Sequence, residues 1–278
     1  MSGARLVRVT PRRPVILCPL EIERRSIGRL LRERAEIVRT GPGAGAVRRG
    51  VEEALRAGAP PLLVLFGLAG GLRSGLTAPR IGRVMDKDAR SWDAPLVAPG
   101  SGPAACVIGV DEPVTDRDRK KRMAEAYGAD LVDCESHAFA EACAAAGVRW
   151  AVVRGVSDGP EVTLPAHAQE WVDAEGRTRV GRVFLACLLS PGVLPAVVQL
   201  GLRSKPALRE ARARLLEVLN HAASTIEEEK IGGVRRAGAG GEGRAVSAAA
   251  ERAAANVIEA QLGRRGSRDA APPAPGAR

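Results

Sequence analysis

Short apolar runs alternate with stretches of helical period along the first two thirds of this chain. Pro14-Val-Ile-Leu-Cys18 reads as a buried strand, and Ile27, Leu30 and Leu31 follow at helical spacing. Ala35 to Arg39 reads as an edge strand that enters the glycine loop Thr40-Gly-Pro-Gly-Ala-Gly45, and a helix follows from Ala46 to Ala57. Pro61-Leu-Leu-Val-Leu-Phe66 is the clearest buried strand, running into a second glycine loop, Gly67-Leu-Ala-Gly-Gly-Leu72. Arg80 to Met85 and Ala105 to Val110 are further strands, and Asp111 to Thr115 is a turn. Asp116 to Tyr127 predicts a solvated helix whose run Arg117-Asp-Arg-Lys-Lys-Arg122 faces water.

Leu131 to Gly159 is the densest stretch. An acidic turn opens an alanine-rich helix, an apolar strand follows, and a second acidic turn ends it. Asp133, Glu135 and Asp158 are the carboxylates it delivers. A helix start tolerates an anion, because its first amides and its dipole favour negative charge. Open α/β sheets bind ligands beyond the carboxyl ends of their strands, where Asp158 lies. Glu21 and Glu23 occupy the same kind of strand-to-helix turn.

Beyond Gly159 the pattern weakens. Helices are expected over Val180 to Leu189, Leu202 to Lys230 and Ala245 to Leu262, with glycine dominating between Gly232 and Gly243. The domain expectation is a flexible basic arm at 1–13, a catalytic domain at 14–200, an amphipathic helix at 201–231 and a Gly/Ala/Pro-rich tail, partly helical or disordered, at 232–278. Strands alternating with helices predict an α/β fold.

Composition narrows the function. The net charge is +10, but the arginines are dispersed among acids and aromatics make up only 3%. Bases have little to stack on, so a nucleic-acid partner is not expected. Five cysteines, Cys18, Cys106, Cys134, Cys143 and Cys187, form no Cys-x-x-Cys pair, and three histidines stand far apart. Neither a metal site nor another cofactor is expected; reduced thiols point to the cytoplasm. No apolar run is long enough to span a bilayer.

Four motifs in order are specific. Leu20-Glu-Ile-Glu23, Gly67-Leu-Ala-Gly-Gly-Leu72, Leu131-Val-Asp-Cys-Glu-Ser136 and Val153-Arg-Gly-Val-Ser-Asp158 resemble the purine/uridine phosphorylase and nucleosidase superfamily. That resemblance implies a phosphorylase/hydrolase-like three-layer α/β fold, with a central mixed twisted sheet flanked by helices. The methylthioadenosine/adenosylhomocysteine nucleosidase branch and futalosine hydrolase are similar. The segment from Asp116 to Lys121 and the Leu- and Arg-rich stretch after Pro195 resemble the hopanoid-associated phosphorylase group, which is thought to remove adenine from adenosylhopane.

Roles follow from the resemblance position by position. Glu135 would accept hydrogen bonds from the ribose hydroxyls, and a carboxylate's two oxygens suit a vicinal diol. Asp158 would bind the purine and protonate N7, with Ser157 orienting it, and Trp150-Ala-Val-Val153 would raise its proton affinity by burial. Glu23, ahead of Glu21, would activate water. Cys134, Leu68, Ala69 and Gly70 would complete the substrate contacts. The implied reaction splits an N-glycosidic bond with an acid on one face and a base on the other.

Three departures accompany these matches. Cys134 stands where the family carries Met, Leu68 where it carries Ser or Thr, and Leu65 where phosphorylases tend to carry a phosphate-binding Arg. Losing a hydroxyl and a guanidinium favours hydrolysis over phosphorolysis, in which phosphate would be the co-substrate. Arg24, Arg25, Arg48 or Arg73 could restore anion binding. The alternatives are a phosphorolytic purine nucleoside phosphorylase, a methylthioadenosine/adenosylhomocysteine or futalosine nucleosidase, and a nucleoside-binding relative without turnover. A homodimer or higher homo-oligomer is expected, with peripheral membrane contact through the C-terminal helix.

Overall fold

The computed structural model describes residues 13–163, 172–178 and 194–237. In chain order the elements are β1 Val15–Cys18, α1 Glu21–Leu31, β2 Glu36–Arg39, α2 Ala44–Arg56, β3 Leu63–Gly71, β4 Ile81–Asp86, β5 Ser91–Asp93, β6 Ala105–Gly109, α3 Arg117–Tyr127, β7 Leu131–Asp133, α4 Ser136–Ala145, β8 Trp150–Asp158 and α5 Leu194–Ala237. The strands form one eight-stranded sheet in the order β2-β1-β3-β7-β6-β4-β5, with β8 paired to β3. The β3–β7 and β4–β5 pairs are antiparallel and the rest are parallel.

Successive side chains of a strand point to opposite faces, and the two faces of this sheet are covered by different helices. Ile16, Val64, Phe66 and Val153 pack with Ile27 and Leu31 of α1 and with Leu208, Leu215 and Leu219 of α5. Leu17, Leu63, Leu65 and Val152 pack instead with Val47 and Val51 of α2 and with Phe139 and Cys143 of α4. The result is the expected α/β arrangement of helix, mixed sheet and helix. Phe139 and Trp150 meet edge to face on the second side, with ring centroids 6.0 Å apart.

Several expectations change. The stretch from Gly67 to Gly71 is not a loop but the second half of β3, held by parallel pairing to β8 from Leu63 through Gly70. Partner strands supply the ladder hydrogen bonds that a glycine run cannot announce by pattern. The short strands β5 and β7 were likewise not anticipated. Helix α3 is not wholly solvated: Lys120 and Met123 are buried.

The chain divides into two compact units, Met1–Ala144 with Val148–Thr225 and Ala145–Gly147 with Ile226–Arg278. Residues 201–225, read from the sequence as a helix apart from the catalytic domain, belong to the first unit. Ala207, Leu208, Ala211, Leu215, Val218, Leu219 and Ala222 are buried there. Over this span the apolar face of the helix is therefore spent on the core. Helix α5 runs on through Gly232 and Gly233. Among the described residues no helix is long and apolar enough to cross a membrane. The expected helices at 180–189 and 245–262, most of the basic arm and the tail beyond residue 237 lie outside the described residues.

Candidate active site

Strand β8 lies beside β3, and the two charged residues it carries inward face glycines. Arg154 is opposite Gly67 and Asp158 is opposite Gly70, with a register shift between Ala69 and Gly70 that inserts Ser157. Such a bulge re-aims the side chains that follow it. A Cβ on Gly67 would lie 2.3 Å from Glu23 Oε1 and 2.5 Å from Arg154 Nη1, so a side chain there would displace these two buried groups. Gly70 is less constrained: its Cβ would meet Asp158 Oδ2 at 3.5 Å.

Arg154 is fully buried at the centre of an acidic group. Its Nε donates to Asp133 Oδ2 at 2.7 Å and its Nη2 to Glu135 Oε2 at 3.3 Å. Nη1 is buried with no hydrogen-bond partner and crowds the same space as Glu23 Oε1. Burial works against the cation, but Asp133, Glu135 and Glu23 more than offset it and raise its proton affinity. Sequence reading quoted this residue within Val153–Asp158 but gave it no role, because its partners come from distant segments.

Glu23 is at the third position of α1. Its Oε2 accepts from the Leu20 amide at 2.7 Å and its Oε1 from the Leu68 amide at 2.8 Å. The first contact is the return half of a capping box; Leu20 has no side-chain oxygen to supply the other half. Burial is the largest influence and pushes the Glu23 carboxyl up to about 7, against Arg154 and the two amides, which pull it down. Glu21, two residues earlier, behaves oppositely. Arg24, Arg25 and Arg39 surround it, and the Arg24 hydrogen bond is foremost in holding its carboxyl down to about 2. Of the two acids in this turn, only Glu23 faces the buried centre.

Glu135 lies between β7 and α4. Its Oε1 accepts from the Gly43 amide at 2.9 Å, so the amide end of α2 is met by a carboxylate of the chain itself. Gly43 is at φ +87 and precedes α2 as its cap residue. Burial raises the Glu135 carboxyl above its ordinary range, opposed by Arg154 and reinforced by Asp133. Asp133 accepts from the Ser136 amide at 2.9 Å and from the Ser136 hydroxyl, which ties the turn before α4 to Arg154. Burial also pushes the Cys134 thiol well up, so it is a neutral, partly buried contact.

Asp158 ends β8 and is 5% exposed, so it does not point into solvent. Its Oδ1 accepts from Ser157 Oγ at 2.7 Å and its Oδ2 is paired with the ammonium of Lys120. Lys120 is fully buried and also donates to Gly159 O and Val162 O, each at 3.0 Å. It corrects the expectation of a water-facing charge run. A signal for it existed: Lys120, Met123, Ala124 and Tyr127 share one helical stripe.

Leu68 contributes its amide, while its side chain packs against the core, as does that of Ala69. Leu65 is wholly in the core. The four arginines considered for anion binding are all engaged with acids: Arg24 and Arg25 with Glu21, Arg48 with Glu141, and Arg73 with Asp130. A surface groove bordered by Arg13, Arg24, Arg32, Glu36 and Glu53 includes none of the site's carboxylates.

The buried centre thus holds one guanidinium among three carboxyls, and beside it a Lys–Asp pair. Residues 103–189 match a family model described as the phosphorylase superfamily. No curated protein matches the chain. Among solved structures, the fold is similar to a 5′-methylthioadenosine/S-adenosylhomocysteine nucleosidase from Helicobacter pylori, with 13% identity, a TM-score of 0.53, and 76% of this chain and 99% of that one covered. It is also similar to an S-adenosylhomocysteine nucleosidase from Streptococcus pyogenes, with 14% identity, a TM-score of 0.52, and 76% and 97% covered. A third is a protein from Francisella philomiragia named for the 5′-methylthioadenosine/S-adenosylhomocysteine nucleosidases, with 12% identity, a TM-score of 0.53, and 75% and 99% covered. At these identities the likeness establishes the fold. The likeness to the phosphorylase superfamily itself rests on the matched segment, residues 103–189.

Proposed function

We propose that this protein is an enzyme that hydrolyses the N-glycosidic bond of an adenosine-type purine nucleoside and releases adenine. One observation carries the reading: Glu23 is buried with its carboxyl near pH 7, its Oε1 and the unpartnered Nη1 of Arg154 border the same space over Gly67, and Glu135 is on the same guanidinium. A general base works best when its proton affinity matches the working pH. Arg154 Nη1 is a donor without an acceptor, which fits the oxygen of a water held for Glu23. Glu135 keeps acceptor capacity beyond the Gly43 and Arg154 contacts, because two carboxylate oxygens offer about four lone-pair sites. That capacity suits ribose hydroxyls.

In the reaction, the bond from C1′ to the purine nitrogen breaks and its electron pair goes to the base. Asp158 faces the purine and passes a proton to N7, while water adds to C1′ and gives its proton to Glu23. The absence of a guanidinium at Leu65 and of a hydroxyl at Leu68, together with the commitment of Arg24, Arg25, Arg48 and Arg73 to acids, favours water over phosphate as the nucleophile.

The test is a product assay on adenosine, methylthioadenosine, adenosylhomocysteine, futalosine and adenosylhopane, with and without inorganic phosphate. Adenosylhopane enters the panel as the substrate suggested by the hopanoid-group resemblance. Free base released equally in both conditions is the expected result. A strict phosphate requirement sinks hydrolysis, and binding of adenine without turnover of any member sinks the enzyme reading.

A further inference from the structure

Asp158 is not a solitary acid. Its two oxygens are both engaged, Oδ1 by Ser157 Oγ and Oδ2 by the ammonium of Lys120, which comes from a different element. Lys120 is fully buried, and its three protons are all placed, on Asp158, Gly159 O and Val162 O. A cation of this kind is costly to bury unless it is paired, and here the partner is the residue that faces the leaving group.

We infer that Lys120 is a positioning residue that acts through Asp158, so that the acid for the departing purine is the Lys120–Asp158 pair and not Asp158 alone. The inference rests on the nucleosidase reading and extends it. An ammonium against a carboxylate and an amine against a carboxylic acid differ only in where one proton sits. Such a pair holds one proton that it can pass on once. As the C1′–N bond breaks and the electron pair moves onto the purine, Asp158 delivers the proton to a ring nitrogen and Lys120 gives up its own to Asp158. Lys120 is left as a neutral amine on an ionised Asp158. The pair recovers its proton from solvent after the purine leaves. The proton lost by the attacking water goes separately to Glu23, so protons and electrons balance.

Leaving-group dependence separates this role from a structural one. Adenine leaves poorly without a proton, whereas 4-nitrophenolate leaves from 4-nitrophenyl β-D-riboside without one. We compare wild type, Lys120→Met and Lys120→Arg on adenosine and on the nitrophenyl riboside. Lys120→Met is expected to lower adenine release by roughly 100-fold or more while nitrophenolate release changes by less than about 5-fold, the size of effect that a positioned proton donor carries. Lys120→Arg, which keeps the charge but holds its proton more tightly, is expected to fall between the two on adenosine and to match wild type on the nitrophenyl riboside. Equal loss on both substrates in Lys120→Met, or no loss on either, overturns the inference and leaves the nucleosidase reading standing. A wild type that cleaves neither substrate overturns both together.

Discussion

Strand β8 carries two buried ion clusters four residues apart, and they are built on opposite principles. At Arg154 one cation serves Asp133 and Glu135 directly and crowds Glu23, while one of its own donors has no partner. At Asp158 one carboxylate meets one ammonium, and every proton of Lys120 is used. The first cluster has more negative groups than positive ones, so burial forces one of them, Glu23, to hold its proton up to about pH 7. The second is balanced. An imbalance of charge creates a group that can exchange a proton and a donor that can take a ligand. A balanced pair holds an acid in place against the end of a strand.

The largest test of this contrast is Arg154→Met. Removing the cation strands two buried carboxylates, and breaking a buried pair costs about 3–5 kcal/mol. Urea unfolding should show that loss, and an unchanged midpoint would mean the carboxyls are not held as charges. Next, Glu23→Gln should lower the rate of adenine release by roughly 10²–10⁴-fold, the usual contribution of a positioned base. The same variant tests the pH dependence. The folded Glu23 carboxyl titrates near 7, above its ordinary value of 4.5, so the folded state binds the extra proton in that window. Its contribution to stability is complete below about 4.5 and is lost as pH rises through about 7. Wild type should lose stability across that interval, and Glu23→Gln should flatten that component. A wild-type profile without the decline would mean that Glu23 is ionised throughout.

The glycines offer a finer comparison. Gly67→Ala should cost about 1–3 kcal/mol by overpacking, because its Cβ would fall on Glu23 and Arg154. Gly70→Ala should cost less than about 1 kcal/mol, since it meets Val132 at 3.3 Å and Asp158 at ordinary contact distance. Equal costs at the two positions would remove the argument that the Arg154 centre is the crowded one. The smallest effect belongs to Glu21→Gln. Two of its three arginine partners, Arg24 and Arg25, are solvent-facing, so stability should change by about 1 kcal/mol or less, with adenine release unaffected. A large loss of activity in Glu21→Gln would reverse the assignment of the two acids.

Much of this site was legible residue by residue. Glu23, Glu135, Asp158 and Ser157 stood in recognisable motifs, and all four are buried where β1, β7 and β8 end or hand over to the next element. Arg154 was not legible, although the run Val153-Arg-Gly-Val156 held a clue: a lone charge within a buried strand must find a partner. Lys120 was hidden by its neighbours, since five other charged residues surround it in Arg117–Arg122 and only the stripe with Met123 and Tyr127 sets it apart. The glycine run from Gly67 was legible as important but not as strand, because its pairing with β8 comes from residues more than eighty positions away.

The order of strands and helices, the α/β class and the identity of the acids were determined by the sequence itself, because apolar period and turn chemistry are local. Which acids lose water, which cation each one meets and which proton can move were decided only by the tertiary structure. Those properties depend on burial and on contacts between distant segments. Glu21 and Glu23 make the point within one helical turn: two identical side chains titrate near 2 and near 7 because one faces arginines and water while the other faces the interior.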